Sequence, residues 1–185
     1  ICDKSNLKLE DLLKKNLVLT GMMSVGKSTI GKKLAMKLKY EFVDTDKIIE
    51  IKEKSTIKEI FKDKGENYFR EIEKKITLEK LKKRNLVIAL GGGAFIDELI
   101  RKEIKSTCVS FWLDLNIESL LIRLKNDKKR PLLNQDKLEQ SINKIYSARK
   151  EIYNESNFRI KCDSMKEIEI LNKIINLYEN TGNKV

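Results

Sequence analysis

A glycine-rich stretch beginning at Gly21 combines residue types that bind phosphate. Gly21, Gly26, Lys27 and Ser28 fall at the spacing G-x-x-x-x-G-K-[ST], between an apolar run and an amphipathic segment. In such a loop the backbone N–H groups turn inward around phosphate oxygens, and the following helix adds its positive N-terminal end. The lysine reaches the β- and γ-phosphates, and the hydroxyl is a ligand for Mg²⁺. The spacing predicts a nucleotide site of the P-loop type, which GTPases, ATPases and kinases share.

Two carboxylates follow the next short apolar run, in the sequence Asp44-Thr45-Asp46. Alternation along an extended chain would leave both carboxylates facing one way. We expect Asp44 to hold the water shell of Mg²⁺ beside Ser28, and Asp46 to face an incoming hydroxyl group. The competing interpretation of Asp46 is a helix N-cap, a position where aspartate is common.

Four further features indicate no function when each is taken alone. Arg70 lies in a helical pattern, where an arginine is usually a solvated or paired surface residue. The run Gly91–Gly93 ends an apolar segment, which suits either a close approach to the backbone or a flexible turn. Arg130 and Arg149 are equally uninformative in isolation.

The composition excludes whole classes of chemistry. The 185 residues include no histidine, so Ser-His-Asp triads, histidine-ligated metals and histidine general bases are excluded. Cys2, Cys108 and Cys162 lie far apart, which favours a reducing compartment and argues against a structural zinc site. The net charge of +11 comes from lysines spread along the chain. We therefore expect an anionic small-molecule ligand and no nucleic acid.

Short apolar runs alternate with longer amphipathic segments along the chain. Strands are predicted at Leu17–Thr20, Phe42–Val43, Leu86–Leu90, Cys108–Leu113 and Phe158–Ile160. Helices are predicted at Ser28–Lys39, over Asp46–Lys83 with breaks near Ser55 and Gly65, and at Ile117–Leu124, Leu138–Tyr153 and Lys166–Tyr178. Strands separated by helices indicate an α/β fold with a five-stranded parallel sheet flanked by helices.

The predicted strand ends gather the candidate residues at one place. Ligands of such sheets bind at the carboxyl ends of the strands, where Gly21, Asp44 and Gly91 fall. The polar stretch Asn126–Lys137 contains the single proline, Pro131, and is the predicted lid. No apolar run approaches the roughly 20 residues that span a bilayer, so we expect no membrane contact and a cytoplasmic protein.

Taken in order, the motifs resemble those of the shikimate kinases. They are G-x-x-x-x-G-K-S from Gly21, D-T-D from Asp44, G-E-x-x-F-R-x-x-E from Gly65, G-G-G from Gly91, R-P-L-L from Arg130 and R-x-x-x-Y from Arg149. The resemblance covers Asn16–Tyr178, and its specificity comes from the whole set. It implies a P-loop three-layer sandwich with a lid. It also implies Mg²⁺- and ATP-dependent phosphorylation of the shikimate 3-hydroxyl, in chorismate and aromatic amino acid biosynthesis.

The resemblance also implies roles for individual residues. The implied catalytic residues are Lys27, Asp46 and Arg130, and the implied metal-binding residues are Ser28 and Asp44. ATP is implied to contact Gly21, Ser24, Val25, Gly26, Lys27, Ser28, Thr29, Arg123 and Arg130, with Arg123 lying on the adenine. Shikimate is implied to contact Asp46, Phe61, Phe69, Arg70, Gly91, Gly92, Gly93 and Arg149, with the two arginines clamping its carboxylate. Glu73 would brace that pocket, and Pro131 and Leu132 would close over it.

Two positions depart from the family pattern. Ser24 stands where the family usually has glycine, so we expect a stiffer loop or an added phosphate contact. The segment Cys162–Met165 lacks the Arg/Asn-Pro character that is common near the adenine. How this chain holds the base is therefore left open.

Two other functions remain as alternatives. Another small-metabolite P-loop kinase, such as gluconate kinase, shares the loop but not the full motif set. A binding module without catalysis is the second alternative, although Lys27 and both carboxylates are intact. We expect a monomer with an N-terminal extension at 1–15, a kinase domain at 16–179 and a tail at 180–185. Within the kinase domain, the acceptor region is predicted at about 45–74 and the lid at about 126–137.

Overall fold

A computed structural model describes residues 15–125 and 135–182. Within these ranges the strands are β1 Asn16–Thr20, β2 Glu41–Asp44, β3 Leu86–Ala89, β4 Cys108–Asp114 and β5 Phe158–Lys161. The helices are α1 Lys27–Leu38, α2 Thr45–Glu53, α3 Ile57–Leu81, α4 Glu98–Thr107, α5 Ile117–Lys125, α6 Gln135–Tyr153 and α7 Glu167–Gly182. A short 3₁₀ turn, Ala94–Ile96, precedes α4.

The five strands form one parallel sheet in the order β2-β3-β1-β4-β5. Every residue of β1, β3 and β4 is buried, so helices cover both faces of the central strands. The predicted α/β sandwich with five parallel strands is confirmed. None of the helices in the described ranges is long and apolar enough to cross a membrane.

The helices differ from the prediction in three places. Helix α4 was not predicted, although Asp97 caps it by accepting hydrogen bonds from the N–H groups of Leu99 and Ile100. Its apolar residues recur at helical spacing behind this cap, so the sequence carries a helix signal that the prediction overlooked. The predicted break at Gly65 is a kink inside α3, where the glycine has a φ of 82°. Helix α6 begins at Gln135, so the end of the predicted lid is helical, and 126–134 lie outside the described residues.

Asn16 joins the first residue of β1 to the chain that enters β3. Its side-chain amide donates to the carbonyl oxygens of Leu81 and Lys83, the latter at 2.6 Å. Its oxygen accepts from the N–H of Leu86 at 3.0 Å. The side chain is buried, so it satisfies backbone groups that water does not reach.

Replacing Asn16 with alanine should therefore destabilise the fold. We expect Asn16→Ala to lower the free energy of unfolding by about 2–3 kcal/mol, because buried backbone groups lose their partners. Urea denaturation measures this change. The matched control is Asn176→Ala on the exposed face of α7, where we expect a change below about 0.5 kcal/mol. Equal losses in the two variants would contradict the role of Asn16.

Candidate active site

The P-loop connects the carboxyl end of β1 to α1. Gly21 has a φ of 132°, and a Cβ there would collide with the carbonyl oxygen of Leu113, so only glycine fits. Ser24 has a φ of 61°, in the left-handed region that glycine adopts without strain. Ser24 therefore keeps the conformation that a glycine would favour.

Lys27 lies folded over this loop. Its ammonium group donates to the carbonyl oxygens of Gly21 and Met22, at 2.9 and 2.7 Å. Removal from water lowers the pKa of Lys27 to about 8, although Asp46 and Asp44 act in the opposite direction. An anion arriving at the loop would stabilise the ammonium form and raise this pKa.

Ser28 and Asp44 lie together at the start of α1 and α2. The Ser28 hydroxyl donates to the Asp44 carboxylate at 2.5 Å. Asp44, not Asp46, is the N-cap of α2, since its side chain accepts from the N–H of Lys47. The extended chain that was predicted to carry both carboxylates is wrong, because the chain becomes helical at Thr45. Asp46 instead sits in the first turn of α2, where its charge interacts with Lys27.

The glycine run after β3 is the floor of the site. The N–H of Gly91 donates to the Thr45 hydroxyl at 2.9 Å, which joins this run to the start of α2. A Cβ on Gly91 would collide with the carboxylates of both Asp46 and Glu73, and a Cβ on Gly93 would collide with the guanidinium group of Arg70. Glycine therefore fits at positions 91 and 93 because charged side chains occupy the space that a Cβ would fill.

Arg70 projects from α3 among acids and aromatic rings. It donates to Glu73 at 2.6 Å and to Glu66 at 3.1 Å. Its guanidinium carbon lies 5.2 Å from the centre of the Phe69 ring and 5.9 Å from that of Phe61. These contacts fix the plane of the guanidinium group.

Glu73 is one of the few buried acids in the described residues. Burial raises its pKa, while Arg70 acts in the opposite direction. Burial also raises the pKa of Asp46, against the opposing charge of Lys27. One oxygen of Glu73, Oε1, is buried without a hydrogen-bond partner. The acids Asp46 and Glu73 thus lie close to the cations Lys27 and Arg70, and these opposite charges offset the cost of burial only in part.

Arg149 reaches the same place from α6. Its guanidinium group donates to the carbonyl oxygen of Gly92 at 2.9 Å, and the Tyr153 hydroxyl donates to the same oxygen. Arg149 and Arg70 line one cleft of about 300 Å³. The remaining lining residues are Glu66, Glu73, Gly93, Ile96, Asp97 and Ile100.

Most of the predicted site residues that the structure describes meet at this edge of the sheet. Arg123 lies against the P-loop, where it donates to the carbonyl oxygen of Val25 at 3.0 Å. Sequence reasoning missed the role of Glu66, although the motif that begins at Gly65 contains it, and missed Asp97, which belongs to no motif. It also missed the anchoring role of Thr45, although the D-T-D motif contains it. The predicted residues Arg130, Pro131 and Leu132 lie outside the described residues.

Known sequences carry the same pattern across most of this chain. Residues 23–179 match the family described as shikimate kinase. The chain belongs to the shikimate kinase family. A shikimate kinase of Persephonella marina is 40% identical over 161 residues, covering 87% of this chain and 97% of that protein. One of a Sulfurihydrogenibium species is 42% identical over 161 residues, covering 87% and 96%.

Solved shikimate kinase structures share the fold. The Acinetobacter baumannii shikimate kinase in complex with shikimate has a TM-score of 0.85 and 33% identity, covering 96% of this chain and 98% of that one. A gluconokinase from Sinorhizobium meliloti has a TM-score of 0.55 at 18% identity, over 91% of this chain and 96% of that one. That second likeness shows the fold alone.

The glycine floor gives a prediction within three consecutive residues. Gly91→Ala should lower the free energy of unfolding by about 1–3 kcal/mol, because its Cβ would press on buried Asp46 and Glu73. Gly92→Ala is the matched control, since the nearest atom to its Cβ would be 3.6 Å away. We expect the control to change the free energy of unfolding by less than about 1 kcal/mol. Chemical denaturation compares the two, and equal stability would contradict the crowding at Gly91.

Proposed function

We propose that this chain transfers the γ-phosphate of ATP to the 3-hydroxyl of shikimate, giving 3-phosphoshikimate and ADP. The observation that carries the proposal is the convergence of Arg70 and Arg149 on one cleft beside a P-loop. Both arginines belong to the motifs that resemble the family. A cleft with two guanidinium groups suits an acceptor that carries a carboxylate.

The nucleotide side of the proposal rests on the P-loop. The backbone from Gly21 to Thr29 would surround the phosphates, and Lys27 would exchange its two carbonyl partners for the β- and γ-phosphate oxygens. Arg123 would lie on the adenine, leaving the loop carbonyl that it now contacts. The proposal keeps Ser24 as a phosphate contact within the same loop.

Ser28 and Asp44 fit a magnesium site of the kind that nucleotide enzymes use. Mg²⁺ is commonly bound through one or two protein oxygens together with substrate phosphates and water. In the described ranges no group of three or more His, Cys, Asp or Glu side chains could hold a metal. The Ser28 hydroxyl and the Asp44 carboxylate, in contact at the end of the P-loop, supply two protein oxygens of the kind that Mg²⁺ binds. When bound, the ion would neutralise charge on the phosphates.

Asp46 would orient the attacking hydroxyl and accept its proton. The chain contains no histidine, so a carboxylate is the acceptor most readily ionised near neutral pH. Burial raises the pKa of Asp46, and a higher pKa makes the ionised carboxylate a stronger base. The transition state of phosphoryl transfer is loose, so placement of the hydroxyl matters more than base strength.

Arg70 and Arg149 would bind the carboxylate of shikimate as a pair. An arginine offers two parallel N–H donors that match a carboxylate, which lysine does not. Glu73, Phe61 and Phe69 would hold Arg70 in place for this contact. Gly91, Gly92 and Gly93 would let the ring of the acceptor approach the backbone.

The resemblance to the family implies further site residues, which lie outside the described ranges. Arg130 would contact the transferring phosphoryl group, and Pro131 and Leu132 would close over the acceptor. Closure of a lid at 126–137 would exclude water and so suppress hydrolysis of ATP. The domain limits at 16 and 179, the monomeric state and the cytoplasmic location stay predictions, as does the absence of nucleic-acid binding.

A coupled assay of ADP release tests the function. Shikimate, gluconate and no acceptor are compared at equal concentration with the purified chain. We expect rapid ADP release only with shikimate. Preference for gluconate would favour the alternative kinase, and release independent of any acceptor would indicate an ATPase.

Removing either arginine should weaken acceptor binding. We expect Arg70→Ala and Arg149→Ala each to raise KM for shikimate by about 10- to 100-fold, because a charge-assisted pair of hydrogen bonds is lost. KM for ATP should barely change. Steady-state kinetics measure both values, and lysine replacements at the same positions should restore only part of the loss.

The control for these variants is a chemically modified acceptor. A shikimate analogue with its carboxylate reduced to an alcohol removes the group that the arginines are proposed to bind. Wild type should discriminate strongly against the analogue, whereas Arg70→Ala should discriminate much less. Equal discrimination by both enzymes would place the carboxylate elsewhere.

The low pKa of Lys27 predicts proton uptake on binding ATP. At pH 9, Lys27 with a pKa of about 8 is mostly neutral in the free protein, and the phosphates should return it to the ammonium form. We expect uptake of about one proton per nucleotide at pH 9 and much less at pH 7. Calorimetry with a non-hydrolysable ATP analogue, in buffers of different ionisation enthalpy, measures the uptake. Lys27→Arg keeps its charge throughout, so equal uptake in that variant would contradict the assignment.

A further inference from the structure

Helix α6 carries Arg149 and is held to the sheet by polar contacts on both sides of that residue. Tyr146, Arg149 and Tyr153 lie three and four residues apart, so they share one face of the helix. Tyr153 reaches Gly92 and packs against Trp112, with 5.9 Å between ring centres. Tyr146 reaches Asp114, at the other end of the same face.

Asp114 is a buried carboxylate at the end of β4, outside the residues assigned to substrates. Its Oδ1 accepts from the Tyr146 hydroxyl at 2.9 Å. Its Oδ2 accepts from Arg159 of β5, at 2.9 Å from Nε and 2.7 Å from Nη2. The Asp114 side chain is only 7% exposed. Both oxygens therefore depend on these partners to replace water.

Arg159 is itself fixed by the sheet. It pairs across the strands with Trp112, and its guanidinium carbon lies 4.5 Å from the centre of that ring. Trp112 and Asp114 are two residues apart on β4, so both face the side on which Arg159 lies. The sheet therefore determines the orientation of the Asp114 carboxylate independently of α6.

Within the described residues, this part of α6 also packs on the core through apolar side chains. Ile142 is buried in the core, and Leu138 and Ile145 pack against it. Apolar burial holds a helix to a sheet but has no direction, so it tolerates rotation about the helix axis. A hydrogen bond to a fixed carboxylate does have direction. The Tyr146 contact, together with the Tyr153 contact to Gly92, therefore sets the rotation of α6, and with it the place of the guanidinium group that lies between them.

The geometry points to Tyr146 and Asp114 as positioning residues that set affinity for the acceptor by holding Arg149 in the cleft. This inference rests on the proposed function, because it takes the ligand of Arg149 to be the acceptor carboxylate. Burial and the Asp114 carboxylate raise the pKa of Tyr146 to about 12, so the hydroxyl remains a donor at neutral pH.

The test removes the hydroxyl alone. We expect Tyr146→Phe to raise KM for shikimate by about three- to tenfold, the effect of one lost hydrogen bond, with KM for ATP nearly unchanged. If the hydroxyl acts through Arg149, the same substitution made in the Arg149→Ala variant should raise KM for shikimate by less than a further twofold or so. An unshifted KM, or an equal shift in the Arg149→Ala background, overturns the positioning role.

Two controls separate positioning from stability. Tyr178→Phe removes a phenol hydroxyl that bonds the Lys15 carbonyl and Tyr40, at the amino end of the sheet. It should leave KM for shikimate unchanged. Asn16→Ala removes buried hydrogen bonds at the amino end of β1, the end of the strand that does not lead into the P-loop. We expect it to lower the thermal midpoint while KM for shikimate stays within about twofold of wild type.

The outcomes distinguish failure of the positioning role from failure of the proposed function. A shift in KM that follows the thermal midpoint across all of these variants overturns the positioning role alone. A wild-type protein that does not phosphorylate shikimate overturns the proposed function and, with it, this inference. An active wild type with the expected pattern supports both.

Discussion

Parallel pairing of β1 with β3, and of β3 with β2, is the constraint on which the site depends. Because parallel strands end at one edge, the P-loop after β1, Asp44 at the end of β2 and the glycine run after β3 emerge side by side. These segments are separated by tens of residues in the chain. Their meeting therefore depends on burial of apolar strands that themselves take no part in the chemistry.

The same edge concentrates charges that burial disfavours. Lys27 has a lowered pKa, while Asp46 and Glu73 have raised ones, and in each case removal from water is the largest cause. These charges offset one another only in part. Bound phosphates and a carboxylate would supply further counter-charges for the cations, so this arrangement of charges suits anionic ligands.

The sequence predicts most of the fold because strand runs and helix faces are local patterns. The strands Asn16–Thr20 and Cys108–Asp114 differ from prediction by single residues. One feature was overlooked and another could not be predicted. Helix α4 has an aspartate cap and apolar residues at helical spacing, which is a local signal that the prediction missed. The contact between Tyr146 and Asp114 joins residues 32 positions apart, and no spacing rule connects them.

The crowded floor of the site also limits how the protein can evolve or be redesigned. At Gly91 and Gly93 the first carbon of any side chain would meet a charged group already in place. At Gly92 the nearest atoms stand 3.6 Å or more from that carbon. A mutational library seeking new acceptors should therefore accept side chains at Gly92 more readily than at Gly91 or Gly93, where charged side chains of the site would first have to move.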